Sequence, residues 1–425
     1  MTLLIPEFIS MRLARPAAVL GGGVSGDGAA HLLSKLGAAA VVYDRNGTEF
    51  TPDRARGHGL VIFSPGFAPG HPWLAIARES GCLCMAELDF ASHFWSGRIV
   101  AVTGTNGKTT LTEFLAHALG GSGLRAAATG NIGLAFTRLV ADEEGGGPEV
   151  TAVCEVSSYQ AEQLGHFCPD GLLWTNLAED HLERHKAMEA YFAAKWELVI
   201  RTAPGRFFAG TSVQRFAVQF GRAIAPAACV ATEGQPPDPR LSGTPFAAYP
   251  QRENFILAAA WWRSQGLAEA ALYSAASSFR LGRHRLSRVG TVDGVTYWND
   301  SKGTNFHAVE AALSGFQRPV VLIAGGRSKG GDLAGFVRRI APRVAFAALI
   351  GETGEALAGA CEAVNVPHSV FPTLEQAVRA CASAAQPSGD VLLSPGFSSF
   401  DMFLNYEERG ERFERAVQEL HAARV

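Results

Sequence analysis

The sequence predicts an α/β protein of three successive domains: a Rossmann-like domain, a phosphate-loop domain on a parallel sheet, and a second Rossmann-like domain. Three observations carry this. At 425 residues the chain exceeds one ordinary core. Short apolar runs alternate with helical stretches in three separate blocks, the pattern of parallel strands joined by crossover helices. Glycine-rich turns stand at two of the strand-to-helix junctions.

The first block, residues 1–96, reads "AAVLGG", "DGAAHLLSKLG", "AAVVYD" and "GLVIFSPG" in strand–helix alternation. The alternation fades at "HFWSGR", which places a boundary near Ser96. In the second block, residues 97–284, "RIVAVTG" feeds a phosphate-loop candidate, and "EVTAVCEVSS" and "DGLLWTNL" read as buried strands with polar C-terminal ends, where open α/β sheets hold ligands. Ala203 to Pro250 has no clear period, helical text resumes at "NFILAAAWWRSQG", and "LGRHRL" reads as a connector. The third block, residues 285–425, alternates through "GVTYWND", "HAVEAALSGF", "PVVLIAGG", "LAGFVRRIA", "VAFAALIG", "TLEQAVRACASA" and "DVLLSPG", and closes on a helix from about Asn405.

Composition narrows the function classes. Lys+Arg 37 against Asp+Glu 40 gives a net charge of -3, which offers no basic footprint for nucleic acid and favours a small-molecule substrate. Seven scattered cysteines form no pair of C-x-x-C motifs, as expected of reduced thiols in a cytoplasmic protein. In "MTLLIPEFISMRLARP" the basic residues follow the apolar stretch, the reverse of a secretory signal, and no run of eighteen apolar residues suggests a membrane span.

The strongest local signal is "VTGTNGKTT", Val102 to Thr110. A strand, a turn and Gly107-Lys108-Thr109-Thr110 opening a helix would surround a phosphate with backbone N–H groups, with Lys108 on the outer oxygens and the Thr109 hydroxyl on Mg²⁺. The general G-x-x-x-x-G-K-[ST] pattern would need glycine where Val102 stands. Gly21 to Gly26, "GGGVSG", fits G-x-G-x-x-G, and Asp44 ends the next strand where a ribose-binding acid belongs. Such a turn admits any nucleotide diphosphate and does not by itself specify NAD.

Glu155 and His181 follow successive strands, at the sheet rim expected to carry the phosphate loop, where a carboxylate and an imidazole suit Mg²⁺ or its waters. His181 and His185 stand four apart, but "HLERH" matches neither H-E-x-x-H nor H-x-x-E-H, so a zinc pair is not expected. Lys195 lies on the apolar helical stretch "YFAAKWELV", where most lysines reach to solvent. "NDSKGTN" (Asn299–Asn305) and "SPGFSSFD" (Ser394–Asp401) crowd acids, hydroxyls and amides, and in the first case a lysine, into single junctions, more than helix N-caps require.

In chain order, "VTGTNGKTT", "EVSSYQ", "NLAEDHLERH", "AAK", "GRHRL" and "NDSKGTN" resemble the Mur ligases, ATP-dependent amide-forming enzymes of peptidoglycan precursor synthesis. That family's loop reads T-G-T-N-G-K-T-T without the leading glycine, so Val102 is what the resemblance implies. "SPGFAPGHPWL", "AGGRSKGGDL" and "LLSPGFSSFDMFLNYEERGERF" resemble its D-glutamate-adding members, and the D-N-P-R string of the diamino-acid-adding members is absent. The resemblance implies a cytoplasmic, monomeric enzyme that takes UDP-MurNAc-L-Ala, D-glutamate and ATP with two Mg²⁺ ions.

Carried over, Val24 and Ser25 would meet the UDP diphosphate, Asp44, Ser64, Pro65 and Gly66 the uridine end, and Asn131 and His181 the muramoyl side. Gly104, Thr105, Asn106, Gly107, Lys108, Thr109 and Thr110 would bind ATP with Asn254, Arg285 and Asp300. Thr109 and Glu155 would share one Mg²⁺, and His181 and a carbamylated Lys195 the other. Lys302, Thr304, Lys329, Ser399 and the Tyr406 backbone would form the D-glutamate end, with Lys302 beside the reacting carboxylate. Where the family has H-N-x-x-N near the adenine, this chain keeps Asn254 in "YPQRENFILAAA". Two other classes compete: a nicotinamide dehydrogenase built on Gly21 to Gly26, and a non-catalytic nucleotide-binding subunit related to the ligases.

Overall fold

A computed structural model describes residues 3–422, so Met1 and Thr2 of the N-terminal stretch considered above lie outside the described residues. Three sheets follow one another along the chain. The first comprises β1 (Ala17–Leu20), β2 (Ala40–Tyr43), β3 (Leu60–Phe63) and β4 (Leu83–Ala86), parallel in the order β2-β1-β3-β4. The second holds β5 (Arg98–Thr103), β6 (Arg125–Gly130), β7 (Val150–Glu155), β8 (Gly171–Trp174) and β9 (Phe207–Ala209), parallel in the order β6-β7-β5-β8-β9. The third holds β10 (Ser287–Val292), β11 (Val295–Asn299), β12 (Val320–Gly325), β13 (Val344–Ile350), β14 (His368–Phe371) and β15 (Asp390–Leu393) in the order β10-β11-β15-β12-β13-β14.

The apolar runs become strands covered on both faces. β8 is buried at every position and β5 at all but Arg98, as a parallel sheet between helix layers requires. In the third sheet the two-residue period sends Val321 and Ile323 into one core with Leu374 and Phe413. Leu322 and Ala324, between them, enter the other with Leu313 and Phe336.

One expectation is corrected and one unassigned passage is resolved. The third sheet is not wholly parallel, because β10 and β11 form an antiparallel hairpin on its edge. Its turn is Asp293-Gly294 with φ of 49° and 79°, the left-handed pair that a tight hairpin demands and Asp-Gly supplies. The passage from Ala203 to Pro250 contains β9 and the helix Thr211–Gln219, followed by short 3₁₀ turns; its prolines and glycines break the period without removing the elements.

The three sheets lie in two compact units. The first is the chain through Leu177 with Glu189–Thr244 and Glu253–Phe279; the second is Ala178–Met188, Pro245–Arg252 and the chain from Arg280. Of residues 97–284, two short internal segments, Ala178–Met188 and Pro245–Arg252, and the last five residues from Arg280 group with the second unit. Side-chain chemistry accounts for the largest: Asp180 pairs with Lys329 Nζ at 3.1 Å and accepts from Asn305 Nδ2 at 3.1 Å.

Candidate functional site

In the first unit, β5 ends at Thr103 and the helix Lys108–Gly121 starts five residues later. The intervening loop is braced from β8. Asn176 Oδ1 accepts the Asn106 N–H at 2.9 Å while its Nδ2 donates to Asn106 O at 3.1 Å, and the Thr175 hydroxyl donates to the same carbonyl at 2.7 Å. Thr105 N–H donates to Asn176 O at 3.0 Å. A loop fixed from behind keeps its amides in place for an anion at the helix N-terminus. Lys108 Nζ rests on Thr105 O at 2.8 Å. Thr109 and Thr110 are buried in the first helical turn, and the Thr110 hydroxyl has no partner among the described residues.

Gly107 takes φ 81° as N-cap of this helix, and a Cβ there would lie 2.4 Å from Asn254 Oδ1. Asn254, 4% exposed on the helix Gln251–Ser264, thus abuts the loop itself. Gly107→Ala is expected to add roughly 1–3 kcal/mol of strain to the loop and to push Asn254 aside. Steady-state kinetics should show the ATP KM raised about tenfold, some 1.4 kcal/mol of binding, with a small fall in Tm.

Glu155, the last residue of β7, is 2% exposed. Its Oε1 accepts from Asn131 Nδ2 at 2.9 Å, but Oε2 is buried without a partner among the described residues. A bare buried carboxylate oxygen is costly unless a cation meets it, so the donor chemistry fits Mg²⁺. Among the described residues no group of three or more His, Cys, Asp or Glu side chains is gathered for a metal. Lys195 is 1% exposed; instead of reaching to solvent, its Nζ donates to Gly104 O at 2.9 Å and Thr103 Oγ1 at 3.2 Å. As an amine it is a donor to the loop, and only an acidic derivative such as a carbamate would turn it into a metal ligand.

The glycine turn opens the helix Val24–Lys35, whose N-cap Gly23 has no side-chain cap and whose Val24 is 66% exposed. Asp44 closes the turn, with Oδ2 accepting Gly22 N–H at 2.9 Å and Oδ1 accepting Asn46 N–H at 3.1 Å. These two amides, Gly22 first, hold its carboxyl below the usual range. Ser64 lies against Gly21 with its hydroxyl unpartnered, Pro65 is half-buried and Gly66 is exposed.

In the second unit, Asp180, Lys329, Thr304 and Asn305 line one small cavity. Burial pushes the Asp180 carboxyl up, but the Lys329 ammonium and then His181 outweigh it and hold it at about 2. Lys329 Nζ also reaches Thr304 Oγ1 at 3.4 Å. His181 adopts φ 56° and sets its ring near both neighbouring acids, 3.6 Å from Asp180 and 3.5 Å from Glu183. Lys302 Nζ stands 4.9 Å over the Tyr406 ring, and Ser399 is buried.

Sequence reasoning missed Arg409. It is fully buried and donates from Nε to Ser301 Oγ at 3.0 Å, from Nη2 to Ser301 O at 2.8 Å and from Nη1 to Phe397 O at 3.1 Å, tying "NDSKGTN" to "SPGFSSFD". Desolvation drives its pKa down to about 10. The only sequence signal was an arginine on the apolar face of the terminal helix, four residues before Phe413.

Asp300 accepts from Ser394 Oγ at 2.7 Å and Leu286 N–H at 3.1 Å, joining the connector to the end of β15. Burial pushes its carboxyl up to about 7 against the opposing pull of Ser394, Leu286, Arg285 and Arg409. The folded state therefore holds a proton that the unfolded chain has released. Stability is expected to fall as pH rises from about 4 to about 7 and to level off above, by at most a few kcal/mol, since a tenfold difference in proton affinity is worth about 1.4 kcal/mol. Denaturant unfolding across that window should show the slope flattened in Asp300→Asn.

The profile of the Mur ligase middle domain matches residues 102–213, and that of the Mur ligase glutamate ligase domain matches residues 284–396. The protein named "UDP-N-acetylmuramoylalanine--D-glutamate ligase" of Gloeobacter violaceus is 35% identical over 95% of this chain and 99% of its own. Its namesake of Synechococcus sp. is 32% identical over 95% and 98%. Among solved structures, the UDP-N-acetylmuramate-alanine ligase MurC of Thermotoga maritima superposes with a TM-score of 0.58 at 15% identity, covering 95% of this chain and 99% of that one. MurF of Acinetobacter baumannii gives 0.59 at 15%, over 86% and 92%. The chain belongs to the Mur ligase family.

Proposed function

We propose that this protein joins D-glutamate to the L-alanyl carboxylate of UDP-N-acetylmuramoyl-L-alanine at the expense of ATP, in the cytoplasmic synthesis of peptidoglycan precursors. The observation that carries the reading is the likeness, over 95% of the chain, to relatives that bear this activity in their names. A carboxylate is a poor electrophile. Transfer of the γ-phosphoryl group to it gives an acyl phosphate, which the D-glutamate amine attacks, and phosphate leaves from the tetrahedral intermediate.

The first unit binds and orients ATP. The amides from Gly104 to Thr110 and the Lys108 ammonium take the phosphates, with Asn254 against the loop. Glu155 and the Thr109 hydroxyl would hold one Mg²⁺, and a carbamylated Lys195 would ligate a second, for which His181, a residue of the second unit, is the other proposed ligand; when bound, these ions neutralise phosphate charge. The turn at Val24 and Ser25, with Asp44 and Ser64 to Gly66, takes the UDP handle, and Asn131 the muramoyl side. In the second unit Lys329, Thr304, Ser399 and the Tyr406 backbone take the D-glutamate carboxylates, Lys302 the acyl-phosphate charge, and Arg285 and Asp300 the nucleotide. Orientation of the amine against a fixed acyl phosphate supplies much of the rate.

Phosphate release should require UDP-MurNAc-L-Ala, D-glutamate and ATP together and should fall sharply with L-glutamate. Release without either co-substrate, or none with all three, overturns the proposal. The latter result returns the reading to a non-catalytic subunit, and a change in NADH absorbance with carbonyl substrates returns it to a dehydrogenase.

A further inference from the structure

A cavity of about 640 Å³ opens at the N-terminal edge of the central sheet, within the first unit and at the opposite ends of the strands from the phosphate loop. The volume suits a ligand of drug-like size. Its wall mixes apolar and cationic groups: Leu124 and the buried Trp261, the arginines Arg98, Arg201 and Arg206, and the exposed Cys168.

The acids in this wall are already engaged. Glu149 pairs with Arg125 at 3.2 Å, and Asp170 accepts the Ile99 N–H at 2.8 Å. The guanidinium groups of Arg98 and Arg206 make no ion pair or hydrogen bond among the described residues. Arg201 is held by Glu197 and Leu164 O, yet its Nε is buried with no partner. Uncommitted positive charge beside an indole is chemistry for an amphipathic anion.

The elements that enter this wall are those that carry the phosphate site. β5 runs from Arg98 to Thr103, β7 starts beside Glu149 and ends at Glu155, and β8 runs from Gly171 toward Thr175 and Asn176. The helix that opens with Lys108 reaches the cavity at Leu119, and the helix bearing Lys195 ends there at Arg201.

We propose that this cavity binds a small anion with an aromatic or otherwise apolar body, its acid group on Arg98 and Arg206 and its body against Trp261 and Leu124, and that its occupation alters nucleotide affinity. The coupling, though not the binding, rests on the phosphate-loop reading. Rigid strands about 17–20 Å long, at 3.3 Å per residue, connect the two ends, and any coupling must be reciprocal.

The probe is 8-anilino-1-naphthalenesulfonate with the full chain. One saturable site is expected by fluorescence, with affinity at least tenfold weaker in Arg98→Glu/Arg206→Glu and intermediate in Arg98→Gln/Arg206→Gln. Saturating dye should slow N-ethylmaleimide labelling of Cys168 at least fivefold and leave the exposed Cys229 unaffected. Equal dye affinity in folded Arg98→Glu/Arg206→Glu protein, or equal protection of both cysteines, overturns the site. ADP affinity, measured by calorimetry, should change at least threefold with dye in the wild type and stay constant in the double variant. An unchanged value in the wild type overturns the coupling, while absence of ADP binding without dye speaks against the phosphate loop instead.

Discussion

Lys108→Ala is expected to lower ATP-dependent phosphate release at least about 10²–10³-fold, the loss typical when one preorganised charge-stabilising donor is removed. The reason lies in what the ammonium does before nucleotide arrives. Its Nζ rests on Thr105 O at 2.8 Å, one turn from the helix N-terminus. Leaving that carbonyl costs one neutral-acceptor hydrogen bond, about 0.5–1.5 kcal/mol net. A phosphate oxygen returns a charge-assisted bond of roughly twice the strength. Developing negative charge on the transferring group strengthens it further, so kcat should fall more than the ATP KM rises. The fold should barely notice, because Lys108 is only partly buried and the loop is held by Thr175 and Asn176. Thermal denaturation within about 2 °C of the wild type, beside an assay sensitive to a thousandth of its rate, separates the two effects; retention of a tenth or more of the activity removes Lys108 from the phosphate site.

The parts of the molecule legible in the sequence were those whose signal is local. Buried parallel strands read as apolar runs because both faces are covered, and β5, β7, β8 and β12 lie inside those runs, with ends within three residues of theirs. The phosphate loop was visible because strand, glycine turn and helix opening are contiguous. Parts made by long-range contacts were not. Asn176 grips the loop across 70 residues of sequence and Arg409 reaches Ser301 across 108; Asn254 was singled out only through the family resemblance, and it meets Gly107 from a distant helix. Asn and Arg are ordinary surface residues in a one-dimensional reading, and only the fold reveals that Asn254 and Arg409 are buried and Asn176 half-buried. The β10–β11 hairpin was a different failure, since Asp293-Gly294 carried a local signal. The expectation of an all-parallel third sheet overrode it.

Glu155→Gln should move activity and stability in opposite directions, which separates a metal-binding role from a structural one. A residue that merely held Asn131 through a charge-assisted bond would gain nothing in stability on this substitution and would leave Mg²⁺·ADP binding unchanged. Glu155 instead carries one satisfied oxygen, 2.9 Å from Asn131 Nδ2, and one buried oxygen with no partner, on a side chain 2% exposed. Glutamine keeps the acceptor for Asn131 and replaces the orphan anionic oxygen by a neutral amide. An unsatisfied neutral donor costs about 1–3 kcal/mol, and an uncompensated buried charge costs more. Without divalent metal the variant should therefore melt at the wild-type temperature or a few degrees above it. Mg²⁺ with ADP reverses the order: binding at 100 times Kd adds about 2.7 kcal/mol to the wild type and far less to the variant, whose amide cannot neutralise the ion. Ligation should fall roughly 10²–10³-fold, as for loss of one charge-stabilising group. Melting curves with EDTA and with Mg²⁺·ADP, set beside phosphate release, decide it. A variant that melts well below the wild type in EDTA and gains as much from Mg²⁺·ADP would place the cation elsewhere and leave Glu155 as a brace for Asn131.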